Sequence, residues 1–146
     1  MKARVYATQK AREMWRETGD ISKAVRAYRD AIEDFAATRE ELRAARDARA
    51  QRYGIGVKEG GSLTPPRGYP TDANEYGDPT NYRYPAENYD RSRAAMTYFN
   101  RVGQREAGGY TSAEWAVVGR RLARLIGRHL PASYEYRDGK LKRKED

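Results

Sequence analysis

The stretch TSAEWAVVGRRLARLIGRHL, residues 111–130, is the clearest amphipathic helix in the chain, and the rest is read outward from it. Thr111 and Glu114 have the spacing of a capping box, in which hydroxyl and carboxylate each satisfy an orphan backbone amide. Trp115, Val118, Leu122, Leu125 and Ile126 recur at helical spacing as one apolar stripe. Arg120, Arg121, Arg124 and Arg128 occupy much of the remaining surface. Gly127 weakens the end, and Pro131, which has no amide to donate, stops the helix after Leu130. A stripe this apolar needs a facing surface, so the C-terminal two thirds of the chain is expected to be built on it.

The nearest facing surface is the segment DRSRAAMTYFNRVG before it, with Asn88 or Asp90 as the capping residue. Ala95, Tyr98 or Phe99, and Val102 give that helix an apolar side, while Arg91, Arg93, Arg101 and Arg105 are its basic residues. Gly108 and Gly109 make a flexible turn, and the two helices together form an αα-hairpin over 91–130. This span has 8 basic and 2 acidic residues, the strongest charge bias in the chain. Arg120, Arg121, Arg124 and Arg128 are accordingly assigned to contact with nucleic acid or an acidic partner. The connection over 103–110 exceeds the three or four residues that are usual in a helix-turn-helix, which counts against that motif.

At the other end, residues 1–53 are read as a helical arm, either one long helix or a helical hairpin. Ala7, Ala11, Met14 and Trp15 share a face of a first short helix. Thr18-Gly19-Asp20 is a break followed by an N-cap. Ile21, Val25, Tyr28, Ile32, Phe35 and Leu42 then fall near a seven-residue repeat, broadened by Ala24, Ala31 and Ala45. The stripe suits packing within the chain, and it also suits an oligomer or partner seam. The arm carries 13 basic and 9 acidic residues, the mixture of a solvated face with weak ion pairs.

Between arm and hairpin, residues 54–90 hold most of the prolines and many of the tyrosines, with 3 basic against 6 acidic residues. Pro65, Pro66, Pro70, Pro79 and Pro85 exclude a continuous helix. An ordered, extended wrap is expected, because Tyr69, Tyr76, Tyr82, Tyr84 and Tyr89 are costly to leave in water. Tyr76, Tyr82 and Tyr84 are assigned to packing of this loop on the helices, with Trp115 as a receiving side chain. Residues 131–146 form a tail or a short β-hairpin around Asp138-Gly139, which suits a type I′ turn. Such a hairpin needs Tyr134, Tyr136 or Leu141 docked on the helices, or forms only on a partner. The fold class is therefore mainly α.

Composition narrows the chemistry. The net charge is +8 over 146 residues, mostly through arginine, whose planar fork suits phosphate and carboxylate. With 12 Tyr against 2 Phe and 2 Trp, the aromatic rings mostly carry a polar tip and suit half-wet interfaces. The absence of cysteine removes disulfides, iron–sulfur clusters, thiolate metal sites and thiol nucleophiles. His129 stands alone in the last turn of the 111–130 helix and is read as a capping residue, not as a catalyst. Glycines 54, 56, 60 and 61 are too scattered for a phosphate loop. Asp72, Glu75 and Asp78 could hold a hard cation, although the calcium-loop order is absent. No segment has the ~20 apolar residues of a membrane span, and the basic N-terminus lacks an apolar signal region. No catalytic residue, cofactor or metal is assigned.

The segments YGIGVKEGGSLTPP, YGDPTNYRYP, RAAMTYFN and YTSAEWAVVGRRLARL resemble a small domain of unknown function in tailed-bacteriophage proteins, covering roughly residues 52–130. That domain occurs in structural gene products and in segments appended to prohead-protease-like proteins. The matching positions are Asp78, Pro79, Tyr84, Pro85, Arg93, Ala94, Ala95, Tyr98, Phe99, Trp115 and Arg121. The resemblance implies a phage setting and no activity. The expectation is a non-enzymatic virion or assembly protein made in the host cytoplasm. It would contact phage structural proteins in the capsid, portal or tail region, as a homo-oligomer or part of a larger assembly, with nucleic acid as a further partner and no membrane. The alternative is a small phage-encoded DNA- or RNA-binding protein acting in the host cytoplasm.

Overall fold

The structure is a computed structural model that describes residues 2–145. The chain is mainly α, and its contacts divide it into two compact units, Met1–Ala44 and Ala45–Asp146. The dividing point lies inside a helix, not at the composition change after Tyr53.

In the first unit, α1 (Ala3–Thr18) folds back on α2 (Ile21–Tyr53), so the arm takes the hairpin form. Gly19 closes α1 with φ 64°, and the Asp20 carboxylate accepts from the amides of Ser22 (2.9 Å) and Lys23 (3.3 Å) to open α2. Ala7, Ala24 and Ala31 are buried between the helices, and the Tyr6 and Phe35 rings lie 6.2 Å apart. The expected seam does not act as a unit within the chain. Tyr28, Ile32, Phe35 and Leu42 are half-buried, whereas Ile21 and Val25 are 68% and 48% exposed. Trp15, expected on the inner face of α1, is 50% exposed. The alanines of the stripe let the two backbones approach, and the larger side chains are left on its flank.

The second unit starts with the last turns of α2 and is built on α5 (Ser112–Ile126). The Thr111–Glu114 capping box forms, and Trp115, Val118, Leu122, Leu125 and Ile126 are all buried. α5 ends at Ile126, four residues before the expected limit. Gly127 donates to the Ala123 carbonyl, and the amides of Arg128 and His129 then reach back only three residues, which tightens the chain out of the helix. His129 thus lies beyond the last helical turn.

α3 (Tyr89–Phe99) packs on α5, capped by Asn88, whose side chain accepts from the Arg91 amide. The expected simple turn between them contains a further short helix, α4 (Gln104–Gly108), bounded by Gly103 and Gly109 at positive φ. The centre of the core is aromatic. Phe99 and Trp115 stack with centroids 3.9 Å apart, and Tyr84 meets both edge-on at 6.0 and 6.1 Å.

The 54–90 segment is ordered over these helices. It contains a 3-10 turn (Ala73–Glu75) and the antiparallel pair β1 (Tyr76–Asp78) and β2 (Arg83–Pro85), with Tyr76 opposite Pro85 and Asp78 opposite Arg83. Its approach to α5 is close: a Cβ on Gly77 would stand 2.6 Å from Leu122 Cγ. Not every tyrosine of the segment is covered, since Tyr69 and Tyr89 remain exposed. The tail forms the expected hairpin, β3 (Tyr134–Arg137) and β4 (Lys140–Arg143), around Asp138 and Gly139 with φ 55° and 79°. Tyr136 pairs with Leu141, which is buried. The Trp115 indole donates to the Gly139 carbonyl (3.0 Å), and Asn100 holds Leu141 through both its amide and its carbonyl (2.8 and 3.0 Å).

Candidate functional site

Burial of the apolar stripe of α5 turns its opposite side outward. Arg120 and Arg124 stand there on the helix, and Arg128 follows in the turn after it. With β3 they border an open groove of about 760 Å³, walled by Tyr134 and Tyr136 and reached by Lys144. The Arg120 guanidinium lies 6.0 Å from the Tyr136 ring centre. Among the described residues none of these four cations has a carboxylate within ion-pair distance. Glu135 also lines the groove, but Arg137 lies 3.7 Å from it. Beyond Arg124 and Arg128 a second cleft, of about 380 Å³, contains Asp72, Glu75 and Arg121.

Arg121, assigned together with Arg120, Arg124 and Arg128 to ligand contact, stands apart from them on the loop side of α5. Its Nη2 donates to the carbonyls of Tyr76 (2.9 Å) and Asn74 (3.4 Å), and its guanidinium covers the Tyr53 ring at 4.6 Å. Burial lowers its pKa, which the Tyr53 hydroxyl partly opposes, and its Nε has no partner. It straps the loop to α5. The helical period placed it with the other arginines, but the register of the packed loop decided otherwise.

The loop-packing residues come together in two places. Tyr84 seals the Phe99–Trp115 stack, and burial pushes its hydroxyl up to about 12. Tyr76 is buried, also pushed up to about 12 by burial, and donates to the Pro70 carbonyl (2.8 Å). Tyr82 stands edge-on to Tyr76 at 5.2 Å and beneath the Arg49 guanidinium at 4.5 Å. Arg49 in turn donates to the carbonyls of Pro79 (2.9 Å) and Thr80 (3.2 Å).

A buried polar clasp was not anticipated. Asp78 accepts from the Asn81 amide (3.1 Å), the Asn81 side chain (2.9 Å) and the Tyr110 hydroxyl. Asn81 also bonds the backbone of Gly56 and Lys58. Tyr82 and Tyr84 both take positive φ, and Arg83 between them donates to the carbonyls of Gly108 (3.1 Å) and Glu59 (2.7 Å). Glu114 extends its capping role by accepting from Lys58 Nζ (2.7 Å) and the Gly56 amide (2.7 Å). These donors and acceptors are used against one another, so the clasp reads as a structural lock on the loop, not as reactive chemistry. Asp78-Pro-Thr-Asn81 has the composition of a turn, which was the available sequence signal. The Lys58–Glu114 pair joins residues 56 apart and had none.

The acidic triplet does not gather. Asp78 is buried in the clasp while the Asp72 side chain caps the 3-10 turn, and no metal-ligand cluster occurs among the described residues. No described helix is long and apolar enough to cross a membrane. No family model, curated protein or solved structure matches this chain.

Proposed function

We propose that this chain is a non-enzymatic assembly protein of a tailed bacteriophage, with the arm as its protein-docking element and the α5–β3 groove as its contact to nucleic acid or an acidic partner. The observation that carries this reading is the arm: Trp15, Ile21 and Val25 are exposed while the hairpin buries mainly alanines. A two-helix hairpin with so little buried between its helices gains its stability by covering that flank, most simply with a second copy of itself. The phage setting and the virion location draw on the resemblance over residues 52–130 alone. The alternative of a nucleic-acid-binding protein acting in the host cytoplasm draws on the groove.

The test is size-exclusion chromatography with light scattering on the full chain and on Ile21→Glu/Val25→Glu. The expected result is an oligomer that the double substitution returns to monomer without loss of helicity. A monomer at all concentrations removes self-association. Mass spectrometry of purified, nuclease-treated particles then separates the two settings, because a stoichiometric virion component survives there and a cytoplasmic binder does not.

A further inference from the structure

We infer that the α5–β3 groove holds the backbone of a single-stranded nucleic acid, which rests on the reading of that groove as an anion-contact surface and gives its ligand a class. Arg120 and Arg124 are four residues apart, about 6 Å along the helix axis at ~1.5 Å per residue, and Arg128, in the turn after the helix, lines the same groove. That interval is on the scale of successive phosphates in an extended strand, and arginine's fork meets phosphate oxygens in pairs.

Shape selects against a duplex. Duplex DNA is read by a convex element that enters a major groove about 12 Å wide. Here the cations border an open groove of about 760 Å³ between α5 and β3, with no projecting element to enter a duplex. The β3 side supplies Tyr134, while the Tyr136 ring is itself packed on Gly119 and Phe99, and an aromatic side chain beside a basic track is the arrangement that takes unstacked bases. An acidic peptide would use the cations but not this side chain. Asp72 and Glu75, in the cleft across Arg124 and Arg128, repel phosphate and confine the strand to the β3 side.

The experiment is fluorescence anisotropy of the full chain with a labelled oligothymidylate, a duplex of equal length, and polyglutamate, over a series of salt concentrations. The single strand is expected to bind more tightly than the duplex. Its log–log salt slope should total roughly −2 to −3, three or four phosphates at about −0.7 each. Arg120→Glu/Arg124→Glu/Arg128→Glu should abolish binding with the far-ultraviolet spectrum unchanged. Tyr134→Ser should weaken single-strand binding roughly five- to hundred-fold, and Tyr134→Phe should retain it. Duplex bound as tightly as single strand overturns the inference and leaves the groove an anion site, as does polyglutamate bound in place of the single strand. Failure to bind any of the three overturns the reading of the groove itself. Single-strand binding that survives the triple substitution also overturns the inference.

Discussion

At Glu114, one carboxylate oxygen takes the Thr111 amide and the Lys58 ammonium, and the other takes the Gly56 amide. Burial by itself would raise this carboxyl, but the hydrogen bonds from Lys58, Thr111 and Gly56 outweigh it and hold the pKa down to about 2, against an ordinary 4.5. A folded-state pKa below the unfolded value stabilises the fold above the unfolded pKa, and that contribution is lost as pH falls through the folded pKa. The window is therefore from about pH 4.5 down to about 2, and the amount is roughly 3 kcal/mol. Glu114→Gln is expected to be less stable than the parent by about 2–3 kcal/mol at neutral pH, with the gap closing towards pH 2. Urea unfolding at a series of pH values measures it, and a gap independent of pH would mean that the charge of Glu114 is immaterial. The capping half of this carboxylate was legible in the Thr111–Glu114 spacing. The Lys58 half was not, because nothing local relates positions so distant in the chain.

Where β3 meets α5, Gly119 is buried, and a Cβ there would collide with the Tyr136 ring. In an open helix, alanine is favoured over glycine by about 1 kcal/mol. Here the closeness of β3 reverses the sign, and Gly119→Ala is expected to destabilise by about 1–3 kcal/mol. Combining it with Tyr136→Leu should recover part of that loss, a coupling that thermal unfolding of the four variants would measure. If Gly119→Ala stabilised the protein, the strand would not lie against the helix as described. The hairpin itself was legible from Asp138-Gly139, since only a few residue types accept two successive positive φ values. Its seat was not, because a lone glycine in a helical pattern tells of a close neighbour without saying which. The insertion of α4 is bounded by Gly103 and Gly109 at positive φ, and α5 ends early at Gly127, all three positions that the sequence places in turns or a weakened helix end.

Across the whole chain, burial is unequally shared. The aromatic and aliphatic core, from Ile55 to Leu141, lies in the Ala45–Asp146 unit, while the buried hydrophobic residues among the described residues of the arm are Ala7, Ala24 and Ala31. Local opening free energy tracks buried apolar contact, so amides of α1 and of α2 up to Ala44 should exchange at least ten-fold faster than those of α5 in dilute protein. Hydrogen–deuterium exchange followed by mass spectrometry tests this, and uniform protection throughout would contradict it. If the arm pairs with a second copy, its protection should rise with concentration while that of α5 stays constant. The sequence by itself determined the four longer helices, the apolar stripe of α5, the capping residues and the turn of the terminal hairpin, because each depends on periodicity or backbone chemistry within a few residues. Tertiary structure alone decided that Arg121 straps a loop while Arg120, Arg124 and Arg128 border a groove, and that alanines, not Ile21 and Val25, close the arm. Those outcomes depend on which surfaces are brought against one another, and a helical period gives a side chain's direction around its axis but not what it meets there.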